Sequence, residues 1–258
     1  MSAADFLPTA EEAARAAGRV LEDWAGRFTV SEKSPANLVT EADFASQEAI
    51  HALIRERYPD HGFLGEEGLA RTGRDAAYRW IIDPLDGTSN YVHRFPYYAV
   101  SIALEHAGEL CVGVILDPTR DEMFAAVRGE GARLNGRPLR TSQIDRLEQT
   151  FAVASLPVAV RRDDPAVERF TRVLEKVQTV QRTGSAALNL AYVAAGRIDA
   201  YWSSSLKAWD MAAGALLVRE AGGRVTRLDG SEFQLDQPEV LATNGMAIHN
   251  KLAQVLST

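Results

Sequence analysis

The chain has 258 residues, 46% of them hydrophobic, and a formal net charge of -7. It is long enough to bury a large core, in one thick domain or two closely packed halves, and its acidity argues against a nucleic-acid backbone as the main partner. One cysteine excludes disulfides within a monomer, and no apolar run approaches the roughly twenty residues needed to cross a membrane.

In chain order, Met1 to Ala10 lacks a basic region followed by an apolar core, so no secretory signal is expected. Thr9 and Glu12 read as a capping box opening an amphipathic helix through Ala13, Ala17, Val20, Leu21 and Trp24. A second helix from near Ala42 to Tyr58 is expected to bury Phe44, Ile50, Leu53 and Ile54, with Asp43 in its first turn. Phe63-Leu64-Gly65 is a short apolar stretch running into Glu66-Glu67. Trp80-Ile81-Ile82 reads as a short buried strand that releases Asp83 and Asp86 at its C-terminal end, where open α/β sheets place their ligand crevices.

From Tyr98 to Val127, β-branched and aromatic residues with turns at Ala107-Gly108 and Asp117-Pro118 predict an antiparallel meander, with Cys111 a buried thiol in one of its strands. Asn135-Gly136 marks another tight turn. After about Phe151 the pattern alternates. Strands are expected at 152–154, 179–181, 200–202 and 240–242, and helices at about 165–177, 185–195, 210–221 and from 247 onward. No linker, internal repeat or low-complexity tract interrupts it, so the fold class is α/β, or α+β in layers.

The chemistry concentrates in Asp83-Pro84-Leu85-Asp86-Gly87-Thr88-Ser89-Asn90. Two carboxylates stand three residues apart in a turn that Pro84 and Gly87 force to be tight, which makes an oxygen-ligand metal site. Thr88, Ser89 and Asn90 are capping residues, and a helix starting there would aim unpaired N–H groups at an anion. Glu66-Glu67 and Asp210, the latter at the opening of a small-residue helix, are further acids available to the same site. Taken alone, paired glutamates are usually solvated, and an aspartate before a helix is usually a cap.

The order GEE, DPLDGTSN, WDMAAG resembles the inositol monophosphatases of the lithium-sensitive, magnesium-dependent phosphatase superfamily. The likeness extends from Lys33-Ser34-Pro35-Ala36-Asn37-Leu38-Val39-Thr40-Glu41-Ala42-Asp43 to Glu220-Ala221-Gly222-Gly223, with Tyr91 to Pro96, Gly131 to Gly136 and Gly184 to Ala187 between. It implies the alternating αβαβα sandwich of the sugar-phosphatase fold over residues 1–258, as one domain with halves of about 1–150 and 151–258. By the same resemblance, Glu66, Asp83 and the carbonyl of Leu85 hold a first metal, and Asp83, Asp86 and Asp210 a second. Asp43 and Thr88 orient and deprotonate the attacking water, Gly87 and Thr88 cradle phosphate through their backbone, and Ser185 and Ala186 join the substrate site. Glu67 supports the catalytic acids, and Lys33 belongs to a mobile flap.

Residue chemistry agrees with two or three Mg²⁺ ions. Magnesium prefers oxygen ligands, whereas five histidines and one cysteine, with no H-E-x-x-H, disfavour zinc. Four carboxylates gathered without counter-charge would repel strongly, and two ions about 3.5 to 4 Å apart would suit an in-line displacement. The expected function is Mg²⁺-dependent hydrolysis of inositol monophosphate or a related sugar or polyol phosphate by a cytoplasmic, lithium-sensitive homodimer. Histidinol phosphate, fructose 1,6-bisphosphate and 3′-phosphoadenosine 5′-phosphate remain alternative substrates, and a non-catalytic, partner-binding role remains an alternative function. The resemblance breaks at Ser203, seven residues before Asp210, where inositol phosphatases typically carry a glutamate. The Ser203 to Lys207 stretch is read either as a contact to a smaller polyol or second anion, or as a solvated loop with an idle lysine.

Overall fold

The computed structural model describes residues 2–34 and 37–257. Its elements are α1 (Leu7–Trp24), β1 (Val30–Ser34), β2 (Asn37–Thr40), α2 (Glu41–Arg57), β3 (His61–Gly65), β4 (Ala70–Arg71), β5 (Asp75–Asp86) and α3 (Thr88–Val92). There follow β6 (Ala99–His106), β7 (Glu109–Asp117), β8 (Glu122–Val127), β9 (Gly131–Leu134), β10 (Arg137–Pro138), β11 (Phe151–Ala154), α4 (Pro165–Leu174) and β12 (Thr179–Gln181). The last are α5 (Ala186–Ala194), β13 (Ala200–Ser203), α6 (Ala208–Glu220), β14 (Arg224–Thr226), β15 (Val240–Thr243) and α7 (Ile248–Ser257).

These make the expected five layers. An eight-stranded sheet, in the order β10-β9-β8-β7-β6-β5-β3-β4, is antiparallel throughout except for the β3–β5 pair. A five-stranded sheet, β12-β11-β13-β15-β14, mixes parallel pairs around β11 with antiparallel pairs around β15. Alternation along the strands feeds three cores. Trp80, Ile82, Ile102 and Val114 pack against α1 and α2, while Ile81, Ala103 and Ile115 face the buried helices α5 and α6. Val153 and Tyr201 meet those helices from the other sheet, whose reverse face, with Ala152 and Trp202, packs with Val173 of α4 and Leu252 of α7. Period-2 burial on both faces thus sandwiches α5 and α6, whose middle turns are buried and mostly apolar, with Asp210 and Arg219 confined to the two ends of α6. Among the described residues no helix is long and apolar enough to cross a membrane.

The meander, the Asn135-Gly136 turn and the alternation after Phe151 form as expected, and Cys111 is buried in β7 with its thiol directed at the Leu104 carbonyl. Three expectations need correction. Thr9 does not cap α1. A 3-10 turn over Ala3–Phe6 runs straight into the helix at Leu7, and Thr9 is buried within it, accepting a bond from Arg57. Phe44 is 51% exposed. The buried stripe of α2 is Asp43, Ser46, Gln47, Ile50 and Ile54, a helical i, i+3, i+4 progression that turns Phe44 to solvent. The strand at Trp80 is long, since β5 begins at Asp75 and pairs with β6 from Tyr78 to Asp86.

Candidate active site

Asp83 and Asp86 sit in the last turn of pleat of β5, and the pairing with β6 slips between them: Asp83 faces Ser101, whereas Asp86 faces Ala99. Three steps on β5 therefore match two on β6, a bulge centred on Pro84, which has no N–H to give the ladder. The bulge cancels the alternation that would send the two carboxylates to opposite faces. Gly87 then adopts φ 98°, where a Cβ would also approach the Tyr97 carbonyl to 3.1 Å, and α3 starts. Gly87, not Thr88, is the residue before the helix, and Thr88, Ser89 and Asn90 form its first turn, whose N–H groups have no partner within the helix.

Asp210 arrives from the first turn of α6, so that Asp83, Asp86 and Asp210 each offer an oxygen within 4.8 Å of the others. Local bonds fix each carboxylate. Leu85 N–H donates to Asp83 Oδ1 (3.0 Å), Lys207 N–H to Asp210 Oδ2 (2.7 Å), and Ala187 N–H to Asp86 Oδ2 (2.8 Å), with the Ser185 hydroxyl also on Asp86. Burial pushes all three carboxyls up. For Asp83, the charges of Glu66, Asp86 and Asp210 add to the rise, while bonds from Ser185 and Ala187 restrain Asp86 at about 6. Oxygen-only donors that repel one another in a desolvated cleft fit a hard divalent cation.

Asp43 lies beside this group, 0% exposed, at the start of α2. Thr40 holds its Oδ2 through both backbone N–H (2.8 Å) and hydroxyl (2.7 Å), and Thr88 Oγ1 donates to Oδ1 at 3.1 Å. Burial raises its pKa against those bonds. The Asp43–Thr88 pair expected from the sequence is therefore assembled. Its support by Thr40 was legible as a Thr-x-x-Asp capping box, which a helix start placed at Ala42 overlooked.

Glu66 stands outside the three-carboxylate group. Lys33 on β1 bonds its Oε1 at 2.9 Å and Glu67 Oε1 at 2.5 Å, bringing the hairpin of β1 and β2 onto the site. Burial would lower the Lys33 pKa, but the two glutamates outweigh it and raise it, while burial raises that of Glu67. Pro35 and Ala36 of the same segment lie outside the described residues. The Leu85 carbonyl lies 3.2 Å from Thr88 Oγ1, as the alternative acceptor for the one proton that Thr88 directs at Asp43. Ser185 and Ala186 contact Asp86 directly. Ser203 is 0% exposed, its Oγ accepting a long bond from Ser205 N–H (3.4 Å), whereas Lys207 is exposed and contributes its backbone to Asp210. Three hydrogen bonds were not legible in the sequence because no local pattern links their partners: Asn90 Nδ2 donates to the Tyr97 and Thr183 carbonyls, and Ser46 Oγ to the Pro84 carbonyl at 2.8 Å.

A layered α/β fold that gathers buried carboxylates beside an Asp–Thr pair defines a class, the metal-dependent phosphatases of small phosphorylated molecules. The comparisons carry this to a family. The model of the inositol monophosphatase family matches residues 3–258. The Nus factor SuhB of Pseudomonas aeruginosa is 44% identical, over 93% of this chain and 91% of that protein. The inositol-1-monophosphatase of Mesorhizobium japonicum is 43% identical, over 95% and 93%. The structure of inositol monophosphatase from Anabaena superposes with a TM-score of 0.88 at 39% identity, covering 98% of this chain and 95% of that one. The chain belongs to the inositol monophosphatase family, and it is a phosphatase.

Proposed function

We propose that the protein hydrolyses inositol monophosphate, or a closely related sugar or polyol monophosphate, with Mg²⁺ held by Glu66, Asp83, the Leu85 carbonyl, Asp86 and Asp210. The observation that carries this reading is the meeting of Asp83, Asp86 and Asp210 within 4.8 Å, beside Asp43 and Thr88. When bound, two or three Mg²⁺ ions supply Lewis-acid polarisation of the phosphoryl group. The chain's own residues do the rest. With its proton directed at Asp43, the Thr88 hydroxyl has lone pairs free to accept from a water, which Asp43 then helps to deprotonate. The backbone of Gly87 and Thr88 binds and orients the phosphate, while Ser185 and Ala186 at the α5 start serve the substrate site through Asp86, to which they donate. Glu67 supports the site through Lys33, which bonds it and Glu66 together.

Specificity for the polyol is assigned to the Ser203 loop. Burial of Ser203 favours an indirect influence through Ser204 and Ser205 over direct contact. The same reading makes the protein one cytoplasmic domain that pairs as a homodimer, and makes it sensitive to Li⁺. Purified protein is expected to release phosphate from inositol 1-phosphate only with Mg²⁺. No release from a panel of sugar, polyol and nucleoside phosphates would overturn the proposal. A partner-binding role alongside catalysis is favoured by the name Nus factor carried by relatives. It predicts that Asp83→Asn, with turnover lost, keeps its effect in cells.

A further inference from the structure

Asp43, Ser46 and Gln47 form one face of the first turns of α2, the first two touching the Asp83 to Thr88 segment and the third the Glu67 peptide. Asp43 meets Thr88, and Ser46 holds the Pro84 carbonyl at the bulge. Gln47, only 9% exposed, pairs with Glu67 as a neighbouring strand would: Glu67 N–H donates to Oε1 (3.2 Å), and Nε2 donates to the Glu67 carbonyl (3.3 Å). β3 has ended at Gly65, and the last ladder-like bond is Glu66 N–H to the Ile82 carbonyl. Beyond it the Gln47 amide fixes the peptide that carries the second glutamate. The fit is tight on the other side too, because a Cβ at Gly65 would lie 2.6 Å from Gln47 Oε1.

We infer that Gln47 is a positioning residue for metal affinity: its amide substitutes for a missing strand partner and sets where the Glu66–Glu67 pair stands relative to Asp83. This rests on the proposed metal role of Glu66. Partners that orient metal ligands typically contribute ten- to a hundredfold in affinity. Gln47→Leu removes both bonds at similar volume, whereas Gln47→Glu keeps an acceptor for Glu67 N–H. Mg²⁺ binding measured by calorimetry on the whole protein should weaken at least about tenfold in Gln47→Leu and no more than about threefold in Gln47→Glu. Turnover of Gln47→Leu should recover to within about twofold at saturating Mg²⁺. Gly65→Ala, which displaces the amide without altering it, should reproduce the loss of affinity and serves if Gln47→Leu does not fold.

Unchanged Mg²⁺ affinity in Gln47→Leu or Gly65→Ala, or an equal loss in Gln47→Leu and Gln47→Glu, would overturn the inference. Wild-type protein that binds no Mg²⁺ would instead overturn the proposed function.

Discussion

At the level of single residues, Asp83 has the most to lose. It is buried among three other acids, and Leu85 N–H already occupies Oδ1. Asp83→Asn keeps that bond and the shape but removes the charge a divalent cation needs, so turnover should fall at least about a thousandfold, roughly 4 kcal/mol of barrier. Retention of a tenth of wild-type turnover at saturating Mg²⁺ would sink the assignment. Asp43→Ala and Thr88→Ala should behave differently, lowering turnover far more than Mg²⁺ affinity, because the pair acts on water. Full recovery at high Mg²⁺ would contradict that role. Asp83 and Asp86 were legible in the sequence because their signal is local, two acids, a proline and a glycine in five positions, whereas the Asp43–Thr88 pair was implied only by the resemblance. Gln47 was not, since its partner is twenty residues away and a glutamine in a helix carries no signal of its own. Ser203 reads either as a substrate contact or as part of a solvated loop, and its burial was not legible because spacing from Asp210 carries no signal of it.

Among the secondary elements, the strands and helices after Phe151 were readable from alternating apolar runs, whereas β5 was read only at its three most apolar residues. Its first half is specified by pairing with β6, and Arg79 with Glu105 across that pair is invisible to a single-strand pattern. β14 was missed for the same reason: three residues, Arg224–Thr226, hold a place in the sheet through β15 and α7. The tie is His249. Thr226 donates its hydroxyl to the Arg227 carbonyl at 2.7 Å, so it must accept from His249 Nε2–H, which leaves Nδ1 to accept from the Thr243 hydroxyl. The bond accepted at Nδ1 requires the neutral ring, and burial, helped by Arg224, lowers its pKa from 6.5 to about 4. A depressed folded-state pKa means stability present above pH 6.5 and lost as pH falls toward 4. The stability advantage of wild type over His249→Gln, from urea unfolding, should therefore shrink between pH 6.5 and 4. A gap independent of pH would show that the ring titrates alike in both states.

For the whole molecule, the carboxylates converge because the layers do: Asp83 and Asp86 come from the eight-stranded sheet, Asp210 from the helix layer beneath it, and Ser185 from the start of α5. Folding therefore forces like charges together, and the raised pKa values give the sign. Stability contributed by these groups is present below the unfolded carboxylate range near 3.8 and is lost as pH rises through about 6 for Asp86 and through the raised pKa values of Asp83 and Asp210. At pH 7.5 the metal-free protein should thus be strained at its centre, and a bound cation should relieve it. Asp210→Asn separates the two effects, because its amide oxygen can still accept the Lys207 N–H. Without metal the variant should melt higher than wild type. Relief of about 1 kcal/mol corresponds to about 2 to 4 °C for a chain of this size. With Mg²⁺ at a hundred times its Kd, wild type should gain about 2.7 kcal/mol and overtake the variant, whose response should be small, and EDTA should reverse the order. Calorimetric melting curves of both proteins with and without Mg²⁺ test the crossing. If the metal-free variant melts lower than wild type and Mg²⁺ raises both equally, repulsion does not govern this cluster and the cation binds elsewhere.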